Sequence, residues 1–270
     1  MLIKSEELTY NILKTLQNQE VIIRHKGEDF YFKINTKDSD KLVVHINGAI
    51  DYSIKRPPLY QRSTWAKSID ANCIFIDDRS LHNVTDDSFN TAWLIGTENR
   101  HYVLDYFEIV VIIQNLLSVK DRNVYYWGSS AGGTSAISLA TLHKGSTAVA
   151  NNPQTNILTD YPRRRNAIFN NVFKNLTEDE VIKKNRHRLS LAAFMNHQNY
   201  VPRTFYIQNH SHLPDIQRHY SEFINELNEY NLSFENITFW LYHDTERGHG
   251  PLNQEKTLEY LHKIMSFKYL

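Results

Sequence analysis

The chain has 270 residues, 41% of them hydrophobic and 22% charged, enough to build a sizeable core and incompatible with a disordered or fibrous protein. Thirty Lys and Arg cancel thirty Asp and Glu, and the one cysteine, Cys73, excludes an internal disulfide and the usual cysteine-based zinc sites. The opening MLIKSEELTY has no apolar signal run, and the longest aliphatic stretch, Ile109–Ile113, is too short to span a bilayer. The expectation is a soluble, cytoplasmic, single-domain protein over residues 1–270 with no transmembrane segment.

In chain order, Leu8, Ile12, Leu13 and Leu16 recur at helical spacing behind Ser5, which predicts an N-terminal helix capped by that serine. Val21–His25 and Phe30–Ile34 flank Lys26-Gly27-Glu28-Asp29, a hairpin pattern. The pattern then changes. Leu42–Ile46, Cys73–Ile76, Val124–Trp127 and Ala148–Ala150 are short apolar runs without alternation, as expected of strands covered on both faces of a parallel sheet. Val103, Tyr106, Val110, Ile113 and Leu117 make a helical stripe between them. Thr204–Gln208 and Ile237–Tyr242 read as later strands. A helix through Ile216, Tyr220, Phe223 and Leu227 separates them, and a last helix carries Leu258, Leu261 and Met265. Alternating strands and helices predict an α/β fold with a mostly parallel central sheet flanked by helices. The stretch 155–200 interrupts the alternation and reads as an inserted helical cap.

The strongest chemical signal is Gly128-x-Ser130-x-Gly132, set between a buried strand and the small-residue helix Thr134–Leu142. A nucleophilic serine must stand clear of the sheet on a tight strand-to-helix turn, and glycines on either side remove side chains that would collide there. The helix N-terminus beneath it favours the negative charge that develops in acyl transfer.

With this elbow the chain resembles the α/β-hydrolase superfamily. That resemblance implies an acid after a later strand and a histidine after the last one. His249, in Arg247-Gly248-His249-Gly250-Pro251, fits the histidine's place, with His243 as competitor. Asp215 fits the acid's place, although a Pro-Asp pair also suits a helix N-cap. Asp244 and Glu246 are alternatives, and Asp77 or Asp78 would be an unusual position. The oxyanion donors would be the amide of Ala131 and one from the loop at Gly48 or Ala49, which departs from the His-Gly-Gly-Gly form of lipases.

From residue 161 to 190 eight Lys and Arg face three acids, so the cap would be basic and would suit an anionic substrate through Arg163, Arg164 and Arg165. Trp93 and Trp127 are candidates to stack on sugar rings. The runs Val43–Ala49, Tyr126–Gly133, Tyr206–Asn209 and Gly248–Gly250 are similar to those of bacterial capsule and surface-glycan O-acetyltransferases of the same fold. This resemblance implies acetyl-CoA as acyl-donor cosubstrate and a glycan or small-molecule acceptor, with no tightly bound cofactor. No metal-binding or nucleotide-binding spacing appears, and no nucleic-acid motif accompanies the arginines. A general carboxylesterase and a non-catalytic glycan-binding or assembly protein are the competing functions.

Overall fold

A computed structural model describes residues 1–267. The strands, among these residues, are β1 Leu2–Lys4, β2 Gln19–His25, β3 Glu28–Asn35, β4 Leu42–Ile46, β5 Asn72–Ile76, β6 Val124–Ser129, β7 Thr147–Asn151, β8 Arg203–Asn209 and β9 Ile237–Tyr242. They form one sheet in the order β1-β2-β3-β5-β4-β6-β7-β8-β9. From β5 to β9 every neighbouring pair is parallel, whereas the β2–β3 hairpin joins antiparallel at one edge. Every residue of β4, β5, β6 and β7 is buried, which is why these strands read as unbroken apolar runs.

Helices cover both faces. The long α2 (Tyr102–Leu116) and α3 (Ala131–Leu142) share one core with the inward residues of β2, β3 and β4. On the other face the last helix, Gln254–Ser266, packs through Leu261, Ile264 and Met265 against Phe75, Trp127 and Phe205. A buried Leu or Ile side chain of this kind is worth about 1.5–3 kcal/mol.

The start of the chain differs from expectation. Leu8, Leu13 and Leu16 are buried as the periodicity requires, but the helix, α1, covers only Tyr10–Thr15 and is capped by Thr9. Leu2–Lys4 instead pairs with β2, and the Ser5 hydroxyl lies 2.9 Å from His25 Nδ1. Ser5–Glu7 forms a short 3₁₀ turn of its own, so the helix begins only at Tyr10.

The insert predicted over 155–200 holds α4 (Pro162–Val172), α5 (Glu178–Leu189) and α6 (Leu191–Gln198). These three differ in their packing. Leu191, Ala192, Phe194 and Met195 of α6 belong to the main core, whereas α4 and α5 enclose a separate apolar cluster with Ile50, Phe89 and Trp93. Among the described residues the buried apolar side chains of α4 and α5 belong to that separate cluster and not to the cores on the two faces of the sheet.

Candidate active site

Ser130 occupies the corner between β6 and α3 with φ 55° and ψ −125°, a conformation rare outside glycine. Such backbone costs about 1–3 kcal/mol and persists only where neighbours fix it. They do so here: the Ser130 amide donates to Asn151 O at 2.9 Å, extending the β6–β7 ladder one residue into the turn. The flanking glycines let backbones meet. A Cβ on Gly132 would lie 2.5 Å from Ile46 O and 2.8 Å from Asn47 O, and one on Gly128 would collide with the Gly132 backbone.

His249 comes from the loop after β9. Its Nε2 is 2.8 Å from Ser130 Oγ and its Nδ1 is 2.7 Å from Asp215 Oδ2. With Nδ1 donating to the carboxylate, Nε2 is the acceptor left for the serine hydroxyl. Asp215 ends a single helical turn, α7 (Leu213–Asp215), which runs into a wide turn at Ile216–Tyr220 and then α8, Ser221–Glu229. The aspartate has helical φ and ψ and makes no side-chain cap, so the N-cap role it could have had is absent. Burial pushes its carboxyl up, but the hydrogen bond and charge of His249, with His212 and His219 nearby, outweigh that and leave it below the ordinary value. Asp244 pairs with Arg247 and His243 lies beside His210, so neither competes for these places. Asp77 pairs with His82, and Asp78 accepts from the amides of Ser80 and Leu94.

Three buried asparagines, none of them anticipated, hold the histidine loop. Asn152 Nδ2 lies 3.2 Å from His249 O, and Asn209 Nδ2 donates to Asp244 O and Gly248 O at 2.6 and 2.9 Å. Asn151 Oδ1 accepts from the Leu252 amide at 2.9 Å. All three sit at or just past the C-terminal ends of β7 and β8, where a polar run in an otherwise apolar strand was the available signal.

Ser130 opens onto a cleft of about 440 Å³, bordered by Ala49, Arg62, Arg164 and His249. Of the two loop amides expected to face it, that of Gly48 is already committed to Gln61 Oε1 at 3.0 Å, while Gln61 Nε2 donates to Ala49 O at 3.0 Å. The amides of Ala49 and Ala131 meet no protein acceptor among the described residues. Gly48 serves instead by closeness, since a Cβ there would sit 3.2 Å from Ser129 O.

The expected substrate-binding residues divide. Arg164 lines the cleft, and with Arg163 it also borders an adjoining depression that shares Ala49. Arg165 turns away to pair with Glu178. Trp93 and Trp127 are 5% and 2% exposed and border neither hollow. Trp93 packs under α4 and α5, and Trp127 packs beneath the sheet against Trp65 and His45. Their apolar surface is better satisfied in the core than at a wet cleft. Much of the basic charge in the insert is also spent internally: Arg186 pairs with Glu226, and Arg188 donates to the carbonyls of Ile95, Thr97 and Glu98.

Ligand atoms of His212, Asp215 and His249 lie within 4.8 Å of one another, a grouping that the hydrogen bonding around Asp215 accounts for. Among the described residues no helix is long and apolar enough to cross a membrane.

The chain matches no protein-family profile and no curated protein sequence. Solved structures do resemble it. The capsule O-acetyltransferase of Neisseria meningitidis serogroup A, crystallised as a mutant with CoA, superposes with a TM-score of 0.63 at 14% identity, covering 94% of this chain and 100% of that one. A fluorophosphonate-binding serine hydrolase of Staphylococcus aureus gives 0.57 at 12% identity over 92% and 98%. An S-formylglutathione hydrolase from Agrobacterium tumefaciens gives 0.59 at 12% identity over 88% and 90%. At these identities the likeness is one of fold: the chain has the α/β-hydrolase fold.

Proposed function

We propose that this protein is a serine acyl-transfer enzyme that moves an acetyl group to a hydroxyl of a bacterial surface or capsular glycan. The observation that carries the reading is the unbroken relay from Ser130 Oγ through His249 to Asp215, in the arrangement that turns a serine into a nucleophile. His249 Nε2 takes the hydroxyl proton as Oγ attacks the acyl carbonyl carbon. The amides of Ala131 and Ala49 hold the oxygen that becomes negative. Collapse breaks the bond to the donor, and His249 returns the proton to the leaving thiolate or alkoxide. An acceptor hydroxyl then gives its proton to His249 and attacks the acyl-serine; the acyl–Oγ bond breaks and His249 returns the proton to Ser130 Oγ. Asp215 holds the ring in one tautomer and stabilises the imidazolium formed in each half.

Two features support a glycan acetyltransferase within this class. One is the likeness to a capsule O-acetyltransferase crystallised with CoA, which makes acetyl-CoA the candidate donor. The other is the cleft itself, bordered by Arg62 and by Arg164, which α4 contributes. The likeness to two hydrolases supports a second reading, ester hydrolysis, in which water replaces the sugar hydroxyl.

The test is acetyl-CoA turnover with and without oligosaccharide acceptors, alongside fluorophosphonate labelling. Labelling at Ser130 with acceptor-stimulated turnover is expected. Rapid hydrolysis of simple esters, indifferent to acceptor, selects the esterase; an unlabelled folded protein selects a non-catalytic binding role.

A further inference from the structure

Among the described residues Arg62 has no carboxylate within ion-pair distance, although it lies in the cleft wall beside the reacting serine. Its Nη2 donates to Ser129 Oγ at 3.1 Å, and its guanidinium carbon stands 4.7 Å from the centre of the Trp127 ring and 5.4 Å from that of Trp65. Two indoles and a neighbouring hydroxyl soften the desolvation of this charge without neutralising it. Burial pulls its pKa down to about 10. The cleft's other arginine, Arg164, is matched by Asp160, so Arg62 is the exception.

The backbone is built to keep Arg62 there. Leu59 N donates to Asp77 Oδ1 at 3.0 Å, Gln61 N donates to Asn47 Oδ1 at 2.8 Å, and Asn47 Nδ2 donates to Leu59 O. Immediately beyond these ties Arg62 adopts φ 62°, in the left-handed region, before the short helix Ser63–Ser68. A strained, tethered residue bearing an uncompensated charge is costly unless a partner arrives from solution. A guanidinium has five N–H donors arranged to grip a two-oxygen anion, and Ser129 takes one of them.

We infer that Arg62 is the centre of an anion subsite beside Ser130, holding a phosphate or carboxylate group of the substrate, with Arg164 lining the same cleft. This deepens the acyl-transfer reading and rests on Ser130 being its nucleophile. The anion belongs either to the donor, through the phosphates of a CoA thioester, or to an acidic group on the acceptor.

The first experiment uses inorganic phosphate as probe and the rate of fluorophosphonate labelling at Ser130 as readout. In the wild-type protein millimolar phosphate should slow labelling more than chloride at the same ionic strength. Arg62→Met should weaken that protection about tenfold or more, the scale of one charge-assisted pair, and Arg62→Lys should keep part of it. Phosphate no better than chloride on the wild-type chain overturns the subsite, and needs no variant to fold. Absence of any labelling instead defeats the reading of Ser130, which keeps the two failures apart. The second experiment compares KM for acetyl-CoA with KM for acidic and neutral oligosaccharides. In Arg62→Met, a rise for acetyl-CoA assigns the anion to the donor, and a rise confined to the acidic acceptor assigns it to the acceptor. Unchanged KM values for all three overturn the proposal.

Discussion

The amide of Gly48 donates to Oε1 of Gln61 at 3.0 Å, so the loop facing the nucleophile is fastened by a side chain from the next turn of chain. The same Gln61 donates Nε2 to Ala49 O, and its own amide is held by Asn47. One residue therefore sets the direction of the Ala49 amide. Gln61→Ala should leave that amide free to drift, lowering kcat about 10- to 100-fold with little change in KM, the scale of weakening one oxyanion donor. Gln61→Glu should cost more, because a carboxylate would replace the Nε2 donor beside a developing negative charge. Steady-state kinetics of both variants with a thermal melt is the check; wild-type kcat in Gln61→Ala would remove Gln61 from this role.

Ser130→Ala should abolish fluorophosphonate labelling and turnover while the fold survives, since the elbow is held by backbone bonds and glycine contacts rather than by the hydroxyl. Asp215→Asn should lower kcat about 10⁴-fold, because an amide facing Nδ1 favours the wrong tautomer of His249. If Asp215→Asn turns over normally, the acid must be sought elsewhere, and Asp244, now paired with Arg247, is the first place to look.

The parts of this arrangement that were legible in the sequence are those written locally. Doubly covered strands left continuous apolar runs at β4, β6 and β7, and the elbow and the Gly-His-Gly loop carried their own backbone requirements. The remainder depends on partners distant in sequence. Asn152 reaches His249 O across 97 positions and Arg62 reaches Ser129 across 67, so no window of neighbouring residues could reveal either. Charge and aromatic content were misleading for a related reason: Arg165, Arg186 and Arg188 are matched inside the fold, while Trp93 and Trp127 are core residues. At the N-terminus the apolar periodicity was correct as a burial pattern, yet the helix starts at Tyr10 and is capped by Thr9, not Ser5.

Acid should loosen the protein before its carboxylates titrate. Burial holds His45 at about 3, with Arg62 adding to the effect, and His219 at about 4, both below the imidazole value of 6.5. As pH falls through about 6.5 the unfolded chain takes up these protons and the folded one does not, so stability is full above that pH and declines toward 4. The slope approaches about 1.4 kcal/mol per pH unit for each histidine. Asp215, whose value is lowered, loses its own contribution only as pH falls through the carboxylate range. His45 isolates the effect: it stacks on Phe75 at 4.5 Å and neither ring nitrogen has a partner. Urea midpoints at pH 7.5, 6 and 5 should fall progressively, and His45→Phe should flatten the series by close to one proton. An unchanged slope in that variant would refute the assignment.

Two glycines near the nucleophile should fail in different ways. At Gly132 an added Cβ meets the backbone oxygens of Ile46 and Asn47 at 2.5 and 2.8 Å. Backbone atoms at the end of a central strand cannot swing aside as a side chain can, so Gly132→Ala forces α3 away from β4. Overpacking of this kind costs at least about 1–3 kcal/mol, and a melting point lower by about 5 °C or more is expected for a chain of this size. At Gly48 the new Cβ meets Ser129 O at 3.2 Å and Ser130 Cβ at 4.0 Å, within a half-open cleft. Gly48→Ala should therefore lower the melting point less than Gly132→Ala does and in addition slow the labelling of Ser130 by narrowing its approach. Melting curves and labelling rates measured on both variants separate the outcomes. A wild-type melting point for Gly132→Ala would mean that α3 does not approach β4 as closely as the elbow requires.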